Sequence, residues 1–196
     1  MGIDYEGKKL GMWMFLFTEL LFFGGMFLLY AVFRYRFALD FHGAAAHENI
    51  VLGSLNTFIL LTSSFTIALA VSAMREGRSA LSSSLQAATI ALGAAFLVIK
   101  YAEWSAKIGV GLYPNSPVLL QKNPGEILFF SLYYVMTGIH ALHVIVGIGV
   151  IACMIIFTTR GKITSKKPIM LENTGLFWHF VDIIWIYLFP LFYLIT

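Results

Sequence analysis

Five ionisable side chains lie inside long apolar stretches of this 196-residue chain: Glu19, His140, His143, His179 and Asp182. A charged group at bilayer depth costs about 2.5–3.5 kcal/mol on insertion scales, so such residues usually face protein or water and are often functional. A carboxyl or an imidazole in that setting can exchange protons, and an imidazole can also ligate a metal or a heme. The sequence therefore predicts an intramembrane polar network.

Glu19 is the candidate for proton exchange. It lies about ten residues, or roughly 15 Å, into the first apolar stretch. The residues three and four positions away are Phe15, Leu16, Phe22 and Phe23. Because none of them offers a counter-charge, the neutral, protonated acid is favoured. We expect Glu19 to bond to a neighbouring helix or to exchange a proton; a lipid-facing group that affects association is a third possibility.

Two pairs of polar residues are spaced three apart. His140 and His143 lie in the sequence TGIHALH, and His179 and Asp182 lie in WHFVD. This spacing puts both members of a pair on one helical face, which predicts an ion pair or a hydrogen bond between His179 and Asp182. Heme or metal ligation is the alternative, and it would need histidines from two helices, such as His143 and His179. Satisfied hydrogen bonding between helices is the interpretation that we favour for these residues.

The usual catalytic signatures are missing from the sequence. It contains no HExxH motif, GxSxG elbow, glycine-rich phosphate loop or EF-hand loop. With Cys153 as its single cysteine, the chain cannot form an intrachain disulfide or a cysteine-based metal cage. The sequence therefore predicts no catalytic, cofactor-binding or metal-binding residue.

The composition places these residues in a membrane protein. Hydrophobic residues make up 59% of the chain and charged residues only 12%, whereas soluble domains carry about 25% charged residues. This balance excludes an ordinary water-soluble enzyme. The thirteen lysines and arginines form no basic face, so the sequence predicts no binding to nucleic acid.

Five stretches are long enough to cross a bilayer core about 30 Å thick, which takes roughly 20 helical residues. They span approximately 10–33, 51–73, 81–101, 127–157 and 174–195. Each must be a helix, because a backbone in lipid has to satisfy its own hydrogen bonds. We expect an all-α bundle that forms a single membrane domain over residues 1–196. The fourth stretch exceeds one upright crossing, so it should tilt or project at its ends.

The basic residues predict the orientation of the bundle. With the N-terminus inside, eight of the thirteen lie on the cytoplasmic side: Lys8, Lys9, Arg75, Arg78, Arg160, Lys162, Lys166 and Lys167. The other five lie in two longer outer loops: Arg34, Arg36, Lys100, Lys107 and Lys122. This bias predicts a cytoplasmic N-terminus and an external C-terminus. The outer loop 102–126 contains several glycines and prolines and should not be helical throughout.

Small residues recur at every fourth position in the second and third predicted helices. The two stripes are Ser64, Ala68 and Ser72, and Ala87, Ala91 and Ala95. Small residues four apart let helices approach closely in lipid, and only residues 74–80 connect these helices. The pattern favours a tight antiparallel hairpin; the alternative is that alanine and serine recur by chance.

Four segments resemble one protein family, in order and over nearly the whole chain. Residues 9–25 (KLGMWMFLFTELLFFGG) resemble the opening helix of the five-helix form of cytochrome c oxidase subunit III. Residues 137–147 (TGIHALHVIVG) and 178–194 (WHFVDIIWIYLFPLFYL) resemble two further signatures of that family. YAEW at 101–104, followed by GLYP at 111–114, resembles its loop after the third helix.

This resemblance implies a non-redox subunit of a proton-pumping heme-copper terminal oxidase in aerobic respiration. The hemes and copper of such enzymes belong to subunits I and II. In the family, the glutamate that matches Glu19 is the carbodiimide-reactive acid. The subunit stabilises subunit I, supports its proton uptake and binds phospholipid in a cleft between helices. The chain begins nine residues before its first predicted helix, as expected for the short bacterial form, which resides in the cytoplasmic membrane.

Three alternative functions remain open from the sequence. The chain also resembles subunit III of quinol oxidases, although Glu19 and the Phe189–Pro190 ending are more similar to the cytochrome c branch. An accessory protein of a nitric oxide reductase system is a second alternative. An independent proton-coupled transporter using Glu19 and Asp182 is the third, but the sequence lacks the repeat symmetry and broken midplane helices of such carriers.

Overall fold

The computed structural model describes residues 2–195, with side chains from residue 6 onward, and all regular secondary structure in this range is helical. The helices are α1 (Gly2–Arg36), α2 (Ala38–Ala45), α3 (Ile50–Arg75), α4 (Ser79–Gly109), α5 (Pro124–Thr159) and α6 (Ile169–Tyr193), with one 3₁₀ turn at Leu119–Gln121. Five of them, all except α2, are long and apolar enough to cross a membrane. Each of the five overlaps one predicted segment, so the all-α prediction is confirmed.

Helical structure also lies outside the predicted segments, and α2 and the end of α4 are two examples. α2 forms within the first outer loop because three of its residues, Phe41, Ala44 and Ala45, are buried against the bundle. α4 continues to Gly109, eight residues beyond its predicted end at 101. The helix extends because Lys100, Glu103 and Lys107 lie on its buried face and bond to one another inside the protein. Charged residues therefore do not end this helix.

α3 and α4 form the predicted antiparallel hairpin. Ser82 donates to the carbonyl of Ala70, and the Thr66 and Thr89 hydroxyls lie 2.8 Å apart. Gly77 makes the turn in a left-handed conformation with φ of +79°, which glycine adopts without strain. The predicted small-residue stripes are wrong as the contact surface, because Ala68, Ser72, Ala87 and Ala91 are exposed. A different set of small and polar residues, which includes Thr66, Ala70, Ser82 and Thr89, makes the contacts instead.

α6 occupies the centre of the bundle and α1 its edge. Half of the apolar window of α6 is buried, against 17% for α1. Gly93 of α4 and Gly147 of α5 both lie against the Trp178 ring, and a Cβ at either position would come within 2.8 Å of it. These two glycines therefore let α4 and α5 close around the largest side chain of α6.

α2 covers the end of the bundle at which α5 begins. The Asp40 carboxylate accepts hydrogen bonds from the Gly125 backbone amide at 3.2 Å and from the Asn123 side chain at 3.3 Å. The first backbone amides of a helix have no hydrogen-bond partner within the helix. A carboxylate near them supplies an acceptor and also interacts favourably with the positive end of the helix dipole. α2 is thus held against the start of α5, with the loop 46–49 beneath it leading into α3.

Candidate functional site

Glu19 and His143 form a polar pair between α1 and α5. Glu19 Oε2 lies 3.2 Å from His143 Nε2, and the two side chains are 20% and 18% exposed. Sequence spacing alone did not predict this partner, because the two residues are 124 positions apart. Glu19 therefore makes a contact with a neighbouring helix, as expected, and its partner there is the imidazole of His143.

The hydrogen bonds of His143 limit how many protons this pair holds. Its Nδ1 lies 2.8 Å from the carbonyl of Ile139. A carbonyl only accepts, so Nδ1 carries a hydrogen. The contact between Nε2 and Glu19 then contains one proton, held either as a carboxylic acid donating to the imidazole or as an imidazolium donating to the carboxylate. Either group can carry this proton, as proton exchange requires.

An apolar cavity of about 340 Å³ lies beside His143, between α1, α5 and α6. Met12, Phe15 and Phe177 contribute to its wall. The His143 ring also packs edge-on against Phe23, with ring centroids 5.2 Å apart. The pair therefore lies in apolar surroundings and is partly exposed at the surface of the bundle.

His140 lies in a different environment from His143. Its side chain is fully buried, with the rings of Phe96 and Trp185 at centroid distances of 5.5 Å and 5.2 Å. The two histidines share a general face of α5, but His140 points toward α4 and α6 while His143 contacts α1. The structure does not bring them into one site.

The predicted pairing of His179 with Asp182 is wrong. The hydrogen-bond partner of the His179 ring is the Ser64 hydroxyl of α3, 2.5 Å from Nδ1, rather than Asp182. The neighbouring helix supplies this partner because α3 packs directly on α6. Asp182 is only 3% exposed and is more completely buried than His179.

The two histidines that could have ligated a metal together contact different helices. His143 bonds to α1 and His179 bonds to α3. Within the part of the chain that the structure describes, there is no group of three or more histidine, cysteine, aspartate or glutamate side chains that could hold a metal ion.

A second ionisable cluster, which the sequence reasoning missed, surrounds Glu103. We call it the Glu103 cluster; its members are Glu48, Lys100, Glu103, Lys107, Tyr133 and Tyr193. Lys107 and both tyrosine hydroxyls donate to Glu103 Oε1, at 2.9, 2.6 and 2.7 Å. Lys100 donates to Oε2 at 3.2 Å. The Glu103 carboxylate therefore accepts four hydrogen bonds, three at Oε1 and one at Oε2.

Lys100 is almost completely enclosed. Besides Glu103, its ammonium donates to the hydroxyls of Tyr133 at 2.9 Å and Tyr193 at 2.5 Å. It also lies 5.1 Å from the centre of the Trp185 ring, within the range of a cation–π interaction. These contacts replace the water that a lysine normally keeps.

Glu48 connects the loop 46–49, outside the membrane-spanning segments, to this cluster. Its Oε2 lies 2.8 Å from Lys107 Nζ, and its side chain is buried. Burial raises the pKa of Glu48 from its ordinary value of 4.5 to about 7, against the opposing effect of the Lys107 ammonium. Glu48 therefore changes charge near neutral pH.

The placement of Lys100 and Lys107 in an outer loop is thus wrong. They are buried in α4 and paired with carboxylates. Their spacing with Glu103, at positions i, i+3 and i+7, is a helical stripe that could have signalled one charged face. The residues that cover this face could not be predicted from the sequence, because they come from α5, α6 and the loop before α3.

The chain matches the model of the family "Cytochrome c oxidase subunit III" over residues 3–196. Cytochrome c oxidase subunit 3 of Thermostichus vulcanus is 33% identical over 190 residues, which cover 96% of this chain and 88% of that protein. Cytochrome bo(3) ubiquinol oxidase subunit 3 of Pseudomonas putida is 31% identical over 188 residues, with 95% and 84% covered.

A third relative contains two subunits in one chain. Heme-copper oxidase subunit I+III of Aeropyrum pernix is 28% identical over 191 residues, which cover 94% of this chain and 22% of that protein. The family match spans nearly every residue and agrees with five membrane-spanning helices. The chain therefore belongs to the cytochrome c oxidase subunit III family and is a membrane-embedded subunit III of a heme-copper oxidase.

Proposed function

We propose that this chain is a non-redox accessory subunit that stabilises subunit I of a proton-pumping oxidase, binds phospholipid and supports proton uptake through Glu19. The observation that supports the proton role is the Glu19–His143 pair, in which a carboxylate oxygen lies 3.2 Å from a ring nitrogen and both side chains are partly exposed. A carboxyl and an imidazole in contact can pass a proton when a partner presents an acceptor.

The hemes and copper of the complex are proposed to belong to subunits I and II. In this chain, His143 and His179 are engaged by Glu19 and Ser64, and His140 is enclosed by aromatic rings. Direct contact with subunit I is supported by the Aeropyrum pernix relative, whose name joins subunits I and III in one chain. An apolar cavity beside His143 supports the proposal of bound lipid.

The proposed electron donor of the complex is cytochrome c. A quinol oxidase is a close second candidate, since relatives with either name have similar identities of 33% and 31%. An accessory protein of a nitric oxide reductase system is the remaining alternative. Purification of the complex separates the three: copper in subunit II supports cytochrome c, its absence supports quinol, and a partner that reduces nitric oxide but not oxygen overturns the oxidase proposal.

The proposed topology is one membrane domain with a cytoplasmic N-terminus and an external C-terminus, in the bacterial cytoplasmic membrane. Burial of Lys100 and Lys107 supports it, because buried, ion-paired lysines are not loop charges. The outer side then keeps three basic residues, Arg34, Arg36 and Lys122, and the positive-inside bias becomes stronger. Cysteine labelling of Lys166→Cys from the cytoplasmic side tests this orientation.

The proton role is tested by Glu19→Gln, which keeps the shape and the bond to His143 but removes the exchangeable acid. Oxygen turnover, protons pumped per electron and inactivation during turnover are measured on the purified complex. We expect slower proton uptake and faster inactivation with the subunit still bound. Glu76→Gln is the matched control, because Glu76 is exposed at the end of α3.

Unchanged turnover, pumping and inactivation in Glu19→Gln would leave the proton role without support. Loss of the subunit from the complex would instead assign Glu19 to assembly. Purification without any chain that carries heme would overturn the accessory function as a whole.

A further inference from the structure

Asp182 is an acid inside the bundle that the proposed proton role of Glu19 does not use. Its side chain is 3% exposed, and neither carboxyl oxygen has a hydrogen-bond partner among the described residues. An ionised carboxylate only accepts hydrogen bonds, so its burial without a donor is costly. A neutral acid carries its own O–H group and can donate. The surroundings of Asp182 therefore suit a carboxyl group that holds a proton.

The Ser64 hydroxyl of α3 connects Asp182 to His179. Its Oγ lies 2.5 Å from His179 Nδ1, and it is also within reach of the Asp182 carboxyl. Because His179 and Asp182 are three positions apart on one face of α6, a single side chain of the neighbouring helix can serve both. A hydroxyl donates one hydrogen and also accepts, so Ser64 can bond to either residue. Ser64 therefore provides the connection that His179 and Asp182 do not make directly.

A cavity of about 350 Å³ between α1, α3 and α6 reaches His179 from the end of the bundle where α6 begins. Arg75 and Glu172 lie at its mouth, and Ala68 and His179 lie at its inner end. Glu172 and His179 are seven residues apart on α6, which is about 10 Å along the helix. Their polar groups give water partners at both ends of the cavity. Water from the membrane surface can therefore reach the imidazole, and Asp182 lies one helical turn further in.

We propose that Asp182, Ser64 and His179 form a proton relay through which Asp182 exchanges its proton with water in this cavity. In the inward direction, a proton from water binds to His179 Nε2, and Nδ1 passes its hydrogen to Ser64 Oγ. The hydroxyl hydrogen of Ser64 then moves to the Asp182 carboxylate. One proton enters, the carboxylate becomes a neutral acid, and the imidazole and the hydroxyl end neutral as they began. Release runs the same steps in reverse.

The relay goes beyond the proposed role of Glu19. The Glu19–His143 pair joins α1 to α5, whereas Ser64 and His179 join α3 to α6. The two sites share no residue, so each can be changed without altering the other.

The test is infrared spectroscopy of the intact oxidase complex after transfer from H₂O to D₂O. A protonated carboxyl group has a C=O stretching band that moves to lower frequency when deuterium replaces its proton. The band that Asp182→Asn removes belongs to Asp182, and Asp182→Glu, which keeps the acid, should move this band rather than remove it. We expect the band to be present at neutral pH and to shift after transfer to D₂O.

Ser64→Ala removes the hydroxyl and should slow this exchange about 100-fold, as the loss of a positioned proton-transfer group predicts. His179→Phe should slow it to a similar extent, whereas Ser64→Thr keeps a hydroxyl and should keep fast exchange. Thr62→Val is the matched control, because the Thr62 hydroxyl of the same helix donates to the carbonyl of Phe58 at 2.8 Å. Ala68→Phe leaves the three relay residues intact but fills the inner end of the cavity, so it should also slow exchange.

Equally fast exchange in Ser64→Ala and His179→Phe would overturn the proposal. Absence of a protonated-acid band, or a band that never shifts in D₂O, would do the same. Unchanged exchange in Ala68→Phe would mean that water reaches Asp182 by another route, which also overturns the relay. Loss of the subunit from the complex in both Asp182 variants would assign this residue to assembly instead.

Glu19→Gln should leave the exchange of Asp182 unchanged. The relay and the proposed function can therefore fail separately. Normal turnover, pumping and inactivation in Glu19→Gln would remove the support for the Glu19 role, while the infrared band of Asp182 would still report on the relay.

Discussion

The Glu103 cluster and the Glu19–His143 pair both place ionisable groups inside the bundle, but they differ in how completely the protein encloses them. Glu103 receives four hydrogen bonds from three helices and is 3% exposed. Glu19 has a single ring nitrogen as its partner across helices and is 20% exposed. A proton can leave only where the group that holds it has a free approach. Two acids inside the same bundle therefore differ in exposure and in the number of their partners.

The closed cluster has a different consequence for the molecule. Its two lysines, two glutamates and two tyrosines join α4, α5, α6 and the loop before α3. Taking such charges out of water is costly, so an intact buried ion pair adds little net stability. Removing one member destabilises the protein strongly, because it leaves the other charge buried without a partner. We infer that the Glu103 cluster fixes how the helices meet at this end, whereas the Glu19–His143 pair is partly exposed and joins only α1 to α5.

The largest expected effect is that of Glu103→Gln on stability. The change leaves two buried ammonium groups with Glu48 as their one carboxylate. Breaking a buried ion pair in this way costs about 3–5 kcal/mol. The free energy of unfolding, measured by denaturant titration in mixed micelles, should fall by that amount. Glu126→Gln is the control; its partly exposed pair with Lys122 should contribute less than about 1 kcal/mol. Equal losses would contradict the closed character of the cluster.

The next effect is a pH dependence that comes from Glu48. Its pKa is raised to about 7 in the folded protein, so the folded state binds this proton more tightly than the unfolded chain. The free energy of unfolding should therefore fall as pH rises from about 4.5 to 7, by roughly 3 kcal/mol at most, and stay level above that range. Glu48→Gln should remove this component, whereas Glu76→Gln should keep it. A wild-type profile that rises over this interval relative to Glu48→Gln would reverse the assignment.

A glycine comparison measures how tightly each region is packed. A Cβ at Gly53 would meet Phe189 and Tyr193 at 2.8 Å, whereas nothing lies within 4 Å of a Cβ at Gly24 on α1. Gly53→Ala should push Tyr193 away from Glu103 and cost about 1–3 kcal/mol. Gly24→Ala should be neutral or slightly stabilising, because alanine favours helix more than glycine does. Thermal unfolding of the two variants provides the test; a harmless Gly53→Ala would show that the cluster is adaptable.

The smallest expected effect is a difference in chemical labelling. A hydrophobic carbodiimide attacks protonated, accessible acids, so Glu19 should be modified at least about tenfold faster than Glu103, the equivalent of about 1.4 kcal/mol in reactivity. Peptide mapping after labelling at neutral pH measures both sites in one sample. His143→Ala removes the partner of Glu19 and should raise its labelling further. Comparable labelling of Glu103 would mean that the closed cluster opens in the membrane.

Much of the fold was predictable because lipid imposes simple rules on a chain. Runs of about 20 apolar residues have to be helices in lipid, and the five predicted segments overlap the five long helices. The hairpin of α3 and α4 followed from its short connection. The ends were less predictable: α2 and the last eight residues of α4 are held by contacts with distant residues, such as Asp40 with Gly125. Helix propensity and hydropathy depend on nearby residues, so they cannot predict such contacts.

The candidate site divides in the same way. The types and depth of Glu19, His140, His143, His179 and Asp182 were visible in the sequence, but the structure does not join them into the single polar network that was predicted. Their partners were not visible, because a partner across helices is a matter of rotation and register. The Glu19–His143 bond spans 124 positions, and the Ser64–His179 bond spans 115.

The sequence by itself determined the membrane environment, the five long helices and the family of this protein. Each of these depends on local composition or on contiguous motifs. The tertiary structure alone decided which charged groups are closed and which are open. Lys100 lies at the end of a predicted membrane segment and Lys107 in the predicted loop after it, yet the packing of α4 against α5 and α6 encloses both. The physical reason is that a charge survives in a membrane protein only with partners, and packing decides where those partners lie.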